Sequence, residues 1–145
     1  RQALDALSAQ AAEVNEGPAR AAALRDVAIV EVLYASGIRV GELCGLDIGS
    51  LDADRQVLRV RGKGDKERTV PLGSPALRAL RQWLGVRDLL AAESSGAAMF
   101  VGDRGGRIDQ RVVRRLVHKA LARGVAVGPV IVVLLVHGAA HAPHI

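Results

Sequence analysis

The sequence predicts an α+β fold, mainly α-helical, with a small antiparallel β-sheet or hairpin packed at one side. Three observations carry this. Apolar residues recur at helical spacing through 20–36, 74–92 and 110–121, whereas Gln56–Arg61 alternates with a period of two. A charged, Gly-rich turn, Gly62–Glu67, then separates that alternation from a second short run, Arg68–Leu72. Finally, 50% of the 145 residues are hydrophobic and 24% charged, the composition of one packed domain rather than a disordered chain.

Each element has its own signal. Residues 1–15 read as a polar helix, broken by Asn15–Pro18. Arg20–Ser36 is apolar nearly all round, as a buried helix is, and Gly37 stops it. A short helix over Arg39–Gly45 turns Leu43 and Leu46 inward and sets Arg39 and Glu42 three apart on one face, close enough for the carboxylate to hold the guanidinium. In the strand Gln56–Arg61, Leu58 and Val60 share one face while Val57, Arg59 and Arg61 share the other, and a third strand is expected near Asp47–Leu51. Ser74-Pro75 reads as an N-cap followed by Pro at the first helical position, opening a helix that runs toward Ala92 and buries Leu77, Leu80 and Leu84. Met99–Ile108 is a Gly-rich loop. Asp109 caps a last helix, whose stripe Val112, Val113, Leu116, Val117, Ala120, Leu121 opposes Arg111, Arg114, Arg115, His118 and Lys119. Organisation divides at Arg123, with the folded domain over 1–123 and a divergent Val- and Ala-rich tail over 124–145.

Composition narrows the function. One Cys excludes a disulfide framework or Cys-based zinc site and suits a reducing cytoplasm, the expected location; Cys44 reads as a small core residue. One Phe, one Trp and one Tyr imply an aliphatic core. The strongest apolar run, Val130–Val136, is far short of a membrane span of ~20 residues, and the polar start shows no secretory signal. Charge is segregated: residues 1–50 carry 4 basic and 7 acidic side chains, and 51–123 carry 16 basic and 8 acidic. Nothing after Arg123 is charged except by histidine. The basic middle suits a polyanion, or is a solvated surface kept for solubility.

Two segments suggest chemistry when taken together. Tyr34-Ala35-Ser36-Gly37-Ile38-Arg39-Val40-Gly41-Glu42-Leu43 places an arginine just after a helix break. Gly62-Lys63-Gly64-Asp65-Lys66-Glu67-Arg68, followed by Val70-Pro71-Leu72, presents a lysine at a hairpin tip. Arginine suits bidentate phosphate contact, and a lysine beside it can protonate a leaving oxygen. Without a metal cluster, the pair points to phosphodiester chemistry by positioning and charge stabilisation.

In these motifs, from about Leu24 to Arg123, the sequence resembles the tyrosine recombinases, specifically the Xer-type integrases. The resemblance implies a partial recombinase catalytic domain with double-stranded DNA as partner, a possible second recombinase subunit, and no cofactor or metal. Such enzymes cut one strand with a tyrosine, hold a 3′-phosphotyrosyl link and rejoin the strand to a partner. On this match Arg39 is similar to the first catalytic arginine, Glu42 to the acidic residue supporting it, and Lys63 to the general acid for the 5′-hydroxyl. The helix bearing Arg111, Arg114 and Arg115 is similar to the one that family members lay against the major groove, as its basic outer face allows.

The departures are equally specific. The one tyrosine, Tyr34, precedes Arg39, where family members carry a packing tyrosine, so no nucleophile is assigned. His137-Gly138-Ala139-Ala140-His141 has the spacing of the family's histidine–arginine box, but Ala140 stands where the second arginine belongs. The family's N-terminal DNA-clamping domain is also missing from these residues. The expectation is a catalytic-domain fragment that binds DNA phosphates but is inactive alone. The alternatives are a non-catalytic DNA-binding or recombinase-partner module, or a gene remnant with a frameshifted tail. Plainer readings stand beside each motif: an Arg39–Glu42 ion pair, ordinary turn charges at Lys63 and Lys66, and no P-loop at Gly62-Lys63-Gly64.

Overall fold

The computed structural model describes residues 17–123. The expected helix over 1–15, the tail over 124–145 and the His137–His141 box lie outside the described residues. The described chain is mainly helical with one three-stranded antiparallel sheet, as the periodicities predict.

Helix α1, Pro18–Ser36, is central. Pro18 opens it, Gly37 caps it in the left-handed region, and Val27 to Leu33 is a continuous buried run. It packs chiefly on α3 (Ser74–Val86) and also touches α4 (Gln110–Ala122). The short α2, Val40–Cys44, has Arg39 as its N-cap and rests against both α4 and the sheet. Leu43 and Leu46, inward by prediction, are 0% and 2% exposed.

The sheet runs β1 (Leu51–Asp52), β2 (Val57–Arg61), β3 (Glu67–Pro71), with β2 in the middle. The alternation is as expected: Leu58 and Val60 are buried while Arg59 and Arg61 are exposed. The third strand begins later than predicted. Asp47 instead opens a single 3₁₀ turn, its N–H donating to Ser50 Oγ at 3.1 Å, so extended pairing starts only at Leu51.

Helix α3 departs from expectation at both ends. Gly73, not Ser74, is the N-cap, which moves Pro75 one position further into the first turn. The helix stops at Val86 rather than Ala92, and 3₁₀ turns follow at Arg87–Leu89 and Glu93–Ser95. Two tertiary contacts impose this ending. The Arg87 guanidinium is buried on the carbonyls of Ala98 and Gly96 (2.8 and 3.0 Å) and on Ser95 Oγ. The Ala92 N–H is spent on the Gly105 carbonyl at 3.0 Å, which draws the chain off the helix axis. Gly105 has φ +90, and a Cβ there would stand 2.5 Å from the Ala92 nitrogen, so only glycine permits the approach.

The core is mainly aliphatic, as expected, but it also takes in two aromatic rings. Trp83 and Phe100 are its largest fully buried side chains, stacked with ring centroids 6.4 Å apart. The Trp83 indole N–H donates to the Met99 carbonyl at 2.9 Å, so its one polar atom is satisfied inside. Met99–Ile108, read from sequence as a loop, carries Met99, Phe100 and Val101 into the core as buried residues. Its far end turns back through a Val101–Arg107 bridge. Tyr34, the third aromatic, is 48% exposed near the end of α1.

Candidate phosphate-binding site

Arg39 is exposed at the N-terminus of α2 in extended backbone conformation. Its N–H, which no helical carbonyl could accept, donates to Glu42 Oε1 at 2.9 Å. Arginine has no acceptor to return the bond, so the cap is one-sided. Glu42 makes no hydrogen bond to the Arg39 guanidinium, although the Arg39 charge helps to lower its pKa. Glu42 takes the backbone N–H of Arg39, and its oxygens also face another cation.

That cation is Arg68, on β3. In the antiparallel register Val60 pairs with Arg68 and Leu58 with Val70, so Arg68 lies on the core-facing side of the hairpin. From there its NH1 meets Glu42 Oε2 at 2.6 Å and its NH2 meets Oε1 at 3.1 Å, a two-point pair. The Glu42 side chain is only 9% exposed. Burial alone would raise its pKa, but the Arg68 hydrogen bonds and the Arg39 N–H outweigh that and hold it below the ordinary carboxylate value. Satisfying Glu42 in this way leaves the Arg39 guanidinium without a hydrogen-bond or ion-pair partner among the described residues.

Lys63 sits at the exposed hairpin tip. The tip is tight: the Gly62 N–H donates to the Lys66 carbonyl at 2.9 Å, and Gly64 and Asp65 are both left-handed, with φ 74 and 60. Asp tolerates that conformation better than most residues, and Arg61 NH1 holds its carboxylate at 3.0 Å. Gly62, directly before Lys63, abuts the ion pair. A Cβ there would stand 3.0 Å from Glu42 Oε2 and 3.3 Å from Arg68 NH1. One carboxylate thus joins the segment that carries Arg39 to the one that carries Lys63.

Helix α4 begins as predicted, with the Asp109 side chain accepting the Arg111 N–H at 2.8 Å. Val113, Val117 and Ala120 are buried. Arg111, Arg115, His118 and Lys119 are exposed, while Arg114 is half-buried with its NH2 on Gln110 Oε1 at 2.9 Å. Because α4 packs on α2, the basic helix and the Arg39 helix are immediate neighbours. No direct bond joins the two arginine sets among the described residues.

Sequence reasoning missed two supports. Arg68 was visible only as part of a motif, although an arginine on the core-facing register of a strand was a usable signal. Arg107 clips the end of α2 by donating to the carbonyls of Cys44 (3.0 Å) and Leu46 (2.9 Å) and pairing with Asp47. Nothing local marks it, since its partners lie some sixty residues away. Cys44, in the core beside them, has its thiol pushed up to about 12, chiefly by burial and then by Asp109. A thiol so shifted is not a nucleophile.

This architecture, a mainly helical domain with a three-stranded antiparallel sheet, is shared with proteins of known class. The model of the phage integrase family matches residues 4–130, and the chain belongs to that family. It is similar to the tyrosine recombinase XerC of Mycobacterium sp. (strain KMS), 52% identical over 132 residues, covering 88% of this chain and 43% of the relative. XerC of Corynebacterium efficiens is 58% identical over 95 residues, covering 66% of this chain and 30% of the relative. Among solved structures, the XerA recombinase superposes with a TM-score of 0.61 at 32% identity, over 69% of this chain and 36% of that one. The XerH site-specific recombinase, in a pre-cleavage complex with its difH substrate, has the same fold with a TM-score of 0.64 at 19% identity, covering 87% of this chain and 36% of that one. The chain thus spans less than half the length of the curated relatives it matches. No helix among the described residues is long and apolar enough to cross a membrane.

Proposed function

We propose that this chain is the phosphate-holding portion of a site-specific tyrosine recombinase catalytic domain, acting in DNA recombination on double-stranded DNA. Residues 1–123 make up that portion and 124–145 are a distinct apolar tail. The carrying observation is the Glu42 carboxylate, which bonds the Arg39 N–H and the Arg68 guanidinium together and so links the two motif segments.

The chemistry assigned to each residue follows from its exposure and charge. Arg39 presents its guanidinium to two non-bridging oxygens of the scissile phosphate, neutralising charge that grows as the fifth oxygen bonds. Lys63 gives a proton to the 5′-oxygen as its bond to phosphorus breaks, so the strand leaves as a hydroxyl. Glu42 fixes Arg39 through the backbone. Arg111, Arg114 and Arg115 on α4 dock against the duplex, where phosphate contacts set register and base contacts set sequence.

Tyr34 is the one tyrosine in these 145 residues, and it is not assigned as nucleophile. Alone, the chain binds and polarises the phosphate without forming a phosphotyrosyl bond. In this reading the nucleophilic tyrosine and second arginine come from outside these 145 residues. Incubation with a nicked suicide recombination site tests the proposal: retention of the DNA without a covalent adduct is expected. A covalent adduct would overturn the inactivity, and no retention at low salt would overturn the DNA reading.

A further inference from the structure

We propose that Arg68 is a positioning residue, and that its pair with Glu42, packed under Gly62, is a latch that sets the Lys63 hairpin against the Arg39 helix. The inference rests on the phosphate-binding reading of Arg39 and Lys63, but its geometry stands apart from that reading.

Three features argue that the pair positions the hairpin rather than simply decorating it. First, it is long-range in sequence, 26 residues apart, and joins β3 to α2 by two hydrogen bonds. Two bonds to a planar fork fix orientation as well as distance, which one ammonium contact would not. Second, Gly62 is backed directly against it, with space for a Cβ only 3.0 Å from Glu42 Oε2. A shift of the carboxylate toward the hairpin therefore meets the backbone adjoining Lys63. Third, the same carboxylate accepts the Arg39 N–H. Movement at the hairpin root and movement at the α2 N-terminus share one group. The outer side of the hairpin is held differently, by Arg61 with Asp65 (3.0 Å) and Glu67 (3.7 Å), both exposed pairs that contribute little.

Substitutions in the full chain separate the latch from the function it serves. Arg68→Met keeps the stem and removes the fork, Arg68→Lys keeps the charge, and Glu42→Gln leaves an acceptor for the Arg39 N–H. Amide hydrogen exchange should quicken about tenfold or more at Gly62 and Asp65 in Arg68→Met and Glu42→Gln, while the buried amides of α1 change less than about twofold; such local opening is distinct from global unfolding. Arg68→Lys should fall between. Where Arg68→Met proves too unstable, the Lys and Gln variants give the same reading.

The coupling to Lys63 is read with a duplex oligonucleotide of about thirty base pairs at low salt. Lys63→Ala should weaken binding about threefold or more in the native background, as removal of a phosphate-binding cation does, and less than about 1.5-fold in the Arg68→Met background. A purely structural role for Arg68 would leave the two losses equal. Unchanged hairpin exchange, or a Lys63→Ala loss of about threefold or more that is equal in both backgrounds, overturns the latch. Faster hairpin exchange with no Lys63→Ala effect in the native background supports the latch and overturns the reading of Lys63 as a phosphate contact.

Discussion

The Glu42 carboxylate and the Arg68 guanidinium meet at 2.6 and 3.1 Å, joining a helix terminus to a strand that the sequence separates by 26 residues. The helix terminus is the one that displays Arg39, and the strand closes the hairpin that displays Lys63. With its carboxylate held in this way, Glu42 stays ionised in a site that would otherwise favour its neutral form.

This makes acid sensitivity a property of the latch. The native pKa of Glu42 is lowered relative to the unfolded chain, so its contribution is complete above the ordinary value of about 4.5 and is lost as pH falls through the lowered native value. Arg68→Met removes the stabilising partner and leaves burial dominant, so the native pKa should move upward. Carbon-detected titration of the Glu42 carboxyl measures this directly. The Arg68 side chain is 48% exposed, so the loss of stability near neutrality should be modest, about 1–2 kcal/mol. The difference between native and variant should vanish at the acid end of a urea series.

Gly105 is the most demanding backbone position. Gly105→Ala combines a left-handed φ of +90 with a Cβ 2.5 Å from the Ala92 nitrogen, where backbone rather than a flexible side chain must yield. A loss of about 2–4 kcal/mol is expected, in the range for backbone strain plus overpacking. Urea unfolding followed by the fluorescence of Trp83, the single tryptophan, measures it.

Much of this is legible in the sequence, and the limits are physical. Helix α1, the β2–β3 hairpin and the Asp109 cap follow from periodicity and local chemistry, so they lie where expected. Arg39 and Lys63 stand out because their motifs are local. What periodicity cannot find depends on distant partners. Helix α3 ends at Val86 because Ala92 must reach Gly105, a contact no local pattern around Ala92 encodes. Arg68 reaches Glu42 through strand register, and Arg107 clips α2 from far along the chain. The aromatic pair escapes a reading by composition because scarcity is not unimportance; the two stacked rings are the largest fully buried side chains.

Cys44 should be chemically silent. With its thiol pushed up to about 12 by burial, and only 8% exposed, it holds almost no thiolate at neutral pH. A disulfide-exchange reagent should leave the native protein unmodified and titrate one thiol after denaturation in guanidinium. Rapid labelling of native protein would contradict the core assignment.

The basic face of α4 should act through phosphates. Replacing Arg111 and Arg115, the exposed pair at its start, with alanine should reduce the steepness of salt-dependent duplex binding by about 0.9 for each phosphate no longer neutralised. Binding assays between about 50 and 200 mM salt, conditions chosen for the slope, measure this. Stability should change by less than about 0.5 kcal/mol, as expected for exposed positions.

The most direct test of the phosphate-holding account is the affinity and salt slope of duplex binding by the native chain and by the Arg39→Ala/Lys63→Ala double variant. The account predicts about tenfold or greater weakening and a slope lower by the equivalent of about one phosphate or more, with the urea midpoint unchanged. Equal affinity and equal slope for the two proteins would contradict it.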